Sequence, residues 1–109
     1  LKLRLLLFFL LLSSPAGAMT AAELLDAEKR FATGYIFGAV EYQTGVAFND
    51  DFAARRQEIR QCLLSGQFTS DALYVTVTAF IRNHPGTRQN SAVRAIVQAV
   101  NEICPQGGK

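Results

Sequence analysis

The stretch Leu73-Tyr74-Val75-Thr76-Val77-Thr78-Ala79-Phe80-Ile81 decides the fold class. Its β-branched residues and partial alternation suit a strand. Leu73, Val77, Phe80 and Ile81 also fall on one stripe of a helix. A strand here would find no partner elsewhere in the chain, so the segment reads as a helix over 70–83. Thr69 or Ser70 can cap it, and Asp71 is favourable in its first turn. His84-Pro85-Gly86 ends it, because a residue before proline is pushed out of the helical region and Gly86 permits a turn.

Downstream, Val93, Ile96, Val97 and Val100 keep a three-four-three rhythm that Cys104 extends by four, which predicts a last helix. Thr87, Asn90 or Ser91 can cap it, and Pro105 with Gly107-Gly108 closes it. Upstream, Ser65-Gly66-Gln67 reads as a turn and Cys62-Leu63-Leu64 as buried. The charged run Asn49–Gln61 carries only Phe52 and Ile59 as large apolar residues. Asp50 or Asp51 could cap a short helix there, but the run is expected to be a solvated connector. Thr20-Ala21-Ala22-Glu23 is a capping-box signature. It predicts a first helix over about 21–46, with Leu24, Phe31, Tyr35, Gly38 and Tyr42 on its inner stripe. Each lone glycine costs a helix about 1 kcal/mol relative to alanine. Gly34 and Gly38 are therefore expected at a close helix contact.

Residues 1–18 read as a secretory signal peptide. Lys2 and Arg4 give a positive start, Leu3 to Leu12 an apolar run broken only by Arg4, and Ala16-Gly17-Ala18 a cleavage site. The run is shorter than the about 20 residues that span a bilayer. Cleavage after Ala18 would leave residues 19–109 as one domain, with no membrane association after cleavage. The chain has eleven Lys and Arg against nine Asp and Glu. Lys2 and Arg4 leave with the leader, so the remainder is near neutral. That argues against nucleic acid or anionic lipid as partners, since both favour clustered basic residues.

Cys62 and Cys104 are the two cysteines. In an oxidising compartment two thiols in one small domain usually pair, and a single intramolecular pairing is possible. The bridge would join the end of the last helix to the entrance of the helix before it. The expected architecture is a small all-α bundle with one disulfide, in which a long first helix packs across a helical hairpin.

No catalytic constellation emerges. His84 is the single histidine and sits in a turn. Without partners it makes no metal site, and the cysteines are expected to be bonded. Glu41, Asp50, Asp51 and Glu58 lack a frame that would fix two carboxylates together. There is no phosphate-binding glycine loop and no nucleophile motif. The expectation is a non-enzyme with no cofactor.

From residue 34 onward the chain resembles a known family. Gly34-Tyr35-Ile36-Phe37-Gly38-Ala39 is similar to the opening helix of the Rap1a/Tai-like immunity domains. A cysteine before a turn follows at Cys62. Phe80-Ile81-Arg82-Asn83-His84-Pro85 then resembles that family's helix ending in His-Pro, and the last helix reaches Ile103-Cys104. Leu63-Leu64-Ser65 replaces the family's proline-containing turn, and Gly86 stands where an acidic residue is expected. The resemblance implies a periplasmic, all-helical, disulfide-bonded binding protein. Such a protein neutralises a peptidoglycan amidase effector of type VI secretion by protein–protein contact, commonly as a homodimer. A weaker similarity links the chain to acid-stress periplasmic chaperones. A thiol redox protein using Cys62 or Cys104 is the alternative from a different class.

Recognition on a rigid scaffold sits in irregular segments. The candidate partner-binding residues are therefore Asp50, Asp51, Arg55, Arg56 and Arg60 of the connector, with His84 of the Asn83–Asn90 turn.

Overall fold

A computed structural model describes residues 18–107. The predicted signal peptide falls almost entirely outside the described residues. The described chain forms five α-helices: α1 Ala21–Asp26, α2 Lys29–Gly45, α3 Ala53–Ser65, α4 Ser70–Asn83 and α5 Ala92–Ile103, with a 3-10 turn over Pro85–Thr87. There is no strand among the described residues, and no helix among them is long and apolar enough to cross a membrane. The fold is an all-α bundle with one disulfide, Cys62–Cys104.

The segment that decides the class is helical over the predicted bounds. Thr69 caps it by accepting from the Ala72 N–H at 3.1 Å. Leu73, Val77, Thr78 and Ile81 face the core, whereas Val75 is exposed. The threonines fit because their hydroxyls turn back onto the helix. Thr76 donates to the Ala72 carbonyl at 2.8 Å and Thr78 to the Tyr74 carbonyl at 2.7 Å, so no hydroxyl is buried unpaired. Helix α5 buries Ala92, Ala95, Ile96, Ala99 and Val100. Of its predicted stripe, Val93 lies outside the core. The buried alanines let α5 seat closely against α4 and α2.

The predicted first helix is two helices. The capping box is present: Thr20 accepts from the Glu23 N–H at 3.1 Å and its own N–H donates to Glu23 Oε1 at 3.3 Å. Ala27 then leaves the helical region, and Glu28 starts α2 by accepting from the Phe31 N–H at 3.1 Å. No proline or glycine marks this break; tertiary bonding sets it. The Ala21 and Ala22 N–H groups donate to the Asn90 and Arg88 carbonyls, and the Ala92 N–H to the Met19 carbonyl. These bonds hold α1 against the start of α5.

Helix α2 packs across α4 and α5, but on a different face from the predicted one. Ala32, Ile36, Val40 and Thr44 are buried at intervals of four. Of the predicted stripe, Leu24 is buried and Tyr35 half-buried, while Phe31 and Tyr42 are exposed. Small and branched residues permit the close approach that aromatic rings would block. Gly34 and Gly38 are also not at a helix contact, because a Cβ added at either meets no heavy atom within 4 Å. Gly38→Ala is therefore expected to raise stability by up to about 1 kcal/mol through helix propensity. Urea unfolding in dilute solution measures this, and a lower midpoint would show that the site is packed after all.

The connector reading is also corrected: from Ala53 the run is helix α3. Asp50 shapes its entry, with Oδ1 accepting from the Phe52 N–H at 2.9 Å. Two buried apolar residues, Ile59 and Leu63, anchor α3 against the core. That is too few to register as an amphipathic helix in sequence. The predicted turn follows, with Gln67 at φ 53. The disulfide fastens α3 to the end of α5, with Cα atoms 6.0 Å apart. It therefore ties down the helix before the turn rather than the entrance of α4.

Candidate functional site

An open cleft of about 830 Å³ lies between the C-terminal half of α2, the 46–52 loop, α3 and the C-terminal half of α5. Val40, Ile59, Val97 and Val100 give it apolar walls. Around it stand Tyr42, Phe48 and Phe52, which are 70%, 61% and 69% exposed. Phe48 and Phe52 stand in solvent because the 46–52 loop carries them past the end of α2, and Tyr42 because it lies on an outward side of α2 itself.

The predicted charged residues gather on one side of this cleft. Arg55 is half-buried. Its Nη2 donates to Asn101 Oδ1 at 2.6 Å and to the Cys104 carbonyl, so it bridges α3 to the end of α5. Its Nη1 is buried, makes no hydrogen bond, and lies 3.5 Å from Glu58 Oε1 as an ion pair. Glu58 also accepts from the Gly107 N–H at 2.9 Å. Arg56 grips the loop. Its guanidinium lies 2.9 Å and 3.2 Å from the two Asp50 carboxylate oxygens and donates to the Phe48 carbonyl at 2.8 Å. The bond from Arg56 holds the Asp50 carboxyl below its ordinary value. Asp51 is exposed on the cleft lining.

Arg60 lies further along α3, 3.8 Å from Glu41 and 3.5 Å from the Thr44 hydroxyl. His84 stands apart. It ends α4 with Nδ1 2.8 Å from the Phe80 carbonyl and its ring stacked on Phe80 at 4.1 Å. It lines a separate groove of about 290 Å³ between α4 and α5. The structure thus brings Asp50, Asp51, Arg55 and Arg56 together, sets Arg60 beside them, and leaves His84 elsewhere.

Sequence reasoning missed the aromatic rim and Asn101. The available signal was Phe48-Asn49-Asp50-Asp51-Phe52, an acidic turn framed by two rings. Arg55 and Arg56 are structural staples as well as charged surface. No group of three His, Cys, Asp or Glu side chains that could hold a metal occurs among the described residues. Of the two disulfide cysteines, Cys104 is 2% exposed.

The fold and cleft together define a small disulfide-fastened helical domain with an aromatic-rimmed opening at one end. No family model matches the chain, and comparison with curated proteins and with solved structures finds no match.

Proposed function

We propose that this is an exported binding protein of the immunity type, which neutralises a peptidoglycan amidase effector by protein–protein contact. The observation that carries the reading is the exposed ring set Tyr42, Phe48 and Phe52 around an apolar cleft with charged neighbours. Aromatic anchors inside a polar surround are the usual energetic centre of a protein interface. The leader-like residues 1–18 support export to the periplasm, and the disulfide is compatible with an oxidising compartment. The resemblance of the Gly34–Ala39, Phe80–Pro85 and Ile103-Cys104 segments to the immunity family supports the choice of effector.

The test is inhibition of peptidoglycan hydrolysis by an amidase encoded beside this gene. Replacing Phe48 and Phe52 together with serine should weaken inhibition by about 30-fold or more, as expected for hot-spot rings. The helical circular dichroism should be unchanged. An unaffected double variant would remove the rim from the interface. A wild-type protein that inhibits no such amidase would end the immunity reading.

A further inference from the structure

Immediately after Ala18 the chain is tied into the fold. The Met19 carbonyl accepts from the Ala92 N–H at 2.7 Å, and Thr20 forms an antiparallel bridge with Ser91. The first N–H groups of a helix have no partner within it. Here those of Ala21 and Ala22 donate to the Asn90 and Arg88 carbonyls at 2.9 Å and 3.0 Å. Glu23 Oε1 accepts from the Thr20 N–H at 3.3 Å and from its hydroxyl at 3.0 Å. Met19 packs against the core, and Ala21 and Leu24 are buried within it. Ala18, one residue earlier, is exposed.

We propose, resting on the leader reading of residues 1–18, that the Ala18–Met19 bond is a processing site which only the undocked chain offers, so that leader removal must precede the docking of α1 onto α5. In the cleavage, water adds across the Ala18–Met19 amide and leaves a carboxylate on Ala18 and an amino group on Met19. A peptidase takes its substrate as an extended strand and pairs with backbone groups on both sides of the bond it cuts. Whether a bond can be cut therefore depends on the burial and hydrogen bonding of the backbone around it. Just beyond this bond, the Met19 carbonyl, the Thr20 N–H and the Ala21 N–H are all engaged inside the domain. From Ala21 the backbone is helical, which no extended binding cleft accepts.

The rest of the fold does not wait for α1. Helices α2, α4 and α5 pack on one another, and the disulfide fastens α3 to α5. Helix α1 is six residues long and adds Ala21 and Leu24 to that core. It can therefore dock last, once the chain is cut. A chain in which α1 docks first keeps its leader.

Cleavage of the folded precursor must then pass through local opening of α1. When opening and closing are fast relative to cleavage, the rate follows the population of the open form. The folded precursor should thus be a poor substrate, and distance between the bond and the clamp should cure the defect.

The full-length chain in detergent micelles, treated with a purified bacterial leader peptidase and followed by product mass, tests this. The unfolded reference is the full chain carrying Val77→Asp and Ile96→Asp, two charges at fully buried positions that keep the core from forming. Helical circular dichroism shows which chain is folded. The folded, oxidised precursor should be cut after Ala18 at least about 30-fold more slowly than the unfolded one. A spacer of about six Gly and Ser residues between Ala18 and Met19 spans about 20 Å when extended and carries the bond clear of the clamp. It should restore cleavage of the folded chain to the unfolded rate. Equal rates for the folded and unfolded precursors would overturn the inference and leave the leader reading intact. A folded spacer chain that stays slow would also overturn it, because the clamp would then not be the obstacle. An unfolded precursor that is not cut after Ala18 would end the leader reading, and the inference with it.

Discussion

Cys62→Ala is expected to lower the stability of the oxidised protein by about 4 kcal/mol. The bridge spans 42 residues of sequence, and closing a loop of that size removes this much chain entropy from the unfolded state. Against a total of about 5–15 kcal/mol for an ordinary domain the loss is large. It should move the thermal midpoint down by about 15–30 °C. The effect should be uneven across the fold. Helix α3 buries only Ile59 and Leu63, and both sit near the edge of the core at 9% and 8% exposed. Without the bridge it is held to α5 chiefly by Arg55. Amide hydrogen exchange should therefore rise first in residues 53–65, while α2, α4 and α5 stay protected. Wild-type protein treated with dithiothreitol should behave like the variant. Equal midpoints for the oxidised wild type and Cys62→Ala would mean that the bond contributes nothing.

The fold class was legible where local pattern and tertiary role agree. Residues 70–83 and the last helix carry their own stripe, cap and stop, and both elements form. The break at Ala27 was not legible, because no residue there forbids a helix. Backbone bonds from Ala21, Ala22 and Ala92 to residues distant in sequence impose it. The buried face of α2 was misread for a related reason. Aromatic residues dominate any hydrophobic pattern, yet close packing selected Ala32, Ile36, Val40 and Thr44. Helix α3 reads in sequence as a connector that could at most hold a short helix, because charges and a disulfide hold it more than apolar burial does.

The same logic divides the site. Asp50, Asp51, Arg55 and Arg56 were found because they are neighbours in sequence. The rings of Phe48 and Phe52 were not, since their exposure is decided by where the 46–52 loop leaves the bundle, and Tyr42 reads as part of the inner stripe of a helix that buries a different face. His84 lies in a conspicuous motif, but its ring is stacked on Phe80 at the end of α4, away from the cleft.

Arg55→Glu is expected to destabilise the protein by about 2–4 kcal/mol, although it lies in the stretch that looks most like free surface in sequence. The Arg55 side chain is 22% exposed and faces three acceptors: Asn101 Oδ1, the Cys104 carbonyl and the Glu58 carboxylate. A glutamate there would set a second negative charge against the same three oxygens, with no donor to satisfy any of them. Arg55→Met keeps part of the apolar stem and removes the charge, so its loss should be smaller, at about 1–3 kcal/mol. Arg56 is held in a similar way: its side chain is 19% exposed and binds the Asp50 carboxylate and the Phe48 carbonyl, so its reversal also loosens the 46–52 loop. Neither arginine is a clean charge probe for partner binding, and reversing both would mix lost contact with lost structure. Because Arg55 and the disulfide fasten the same helix, their losses should not add. With α3 already loosened by Cys62→Ala, Arg55→Glu should remove clearly less further stability than it does in the wild type. Urea unfolding of the four proteins measures that coupling. An Arg55→Glu protein within about 0.5 kcal/mol of wild type would return Arg55 to the class of ordinary surface residues.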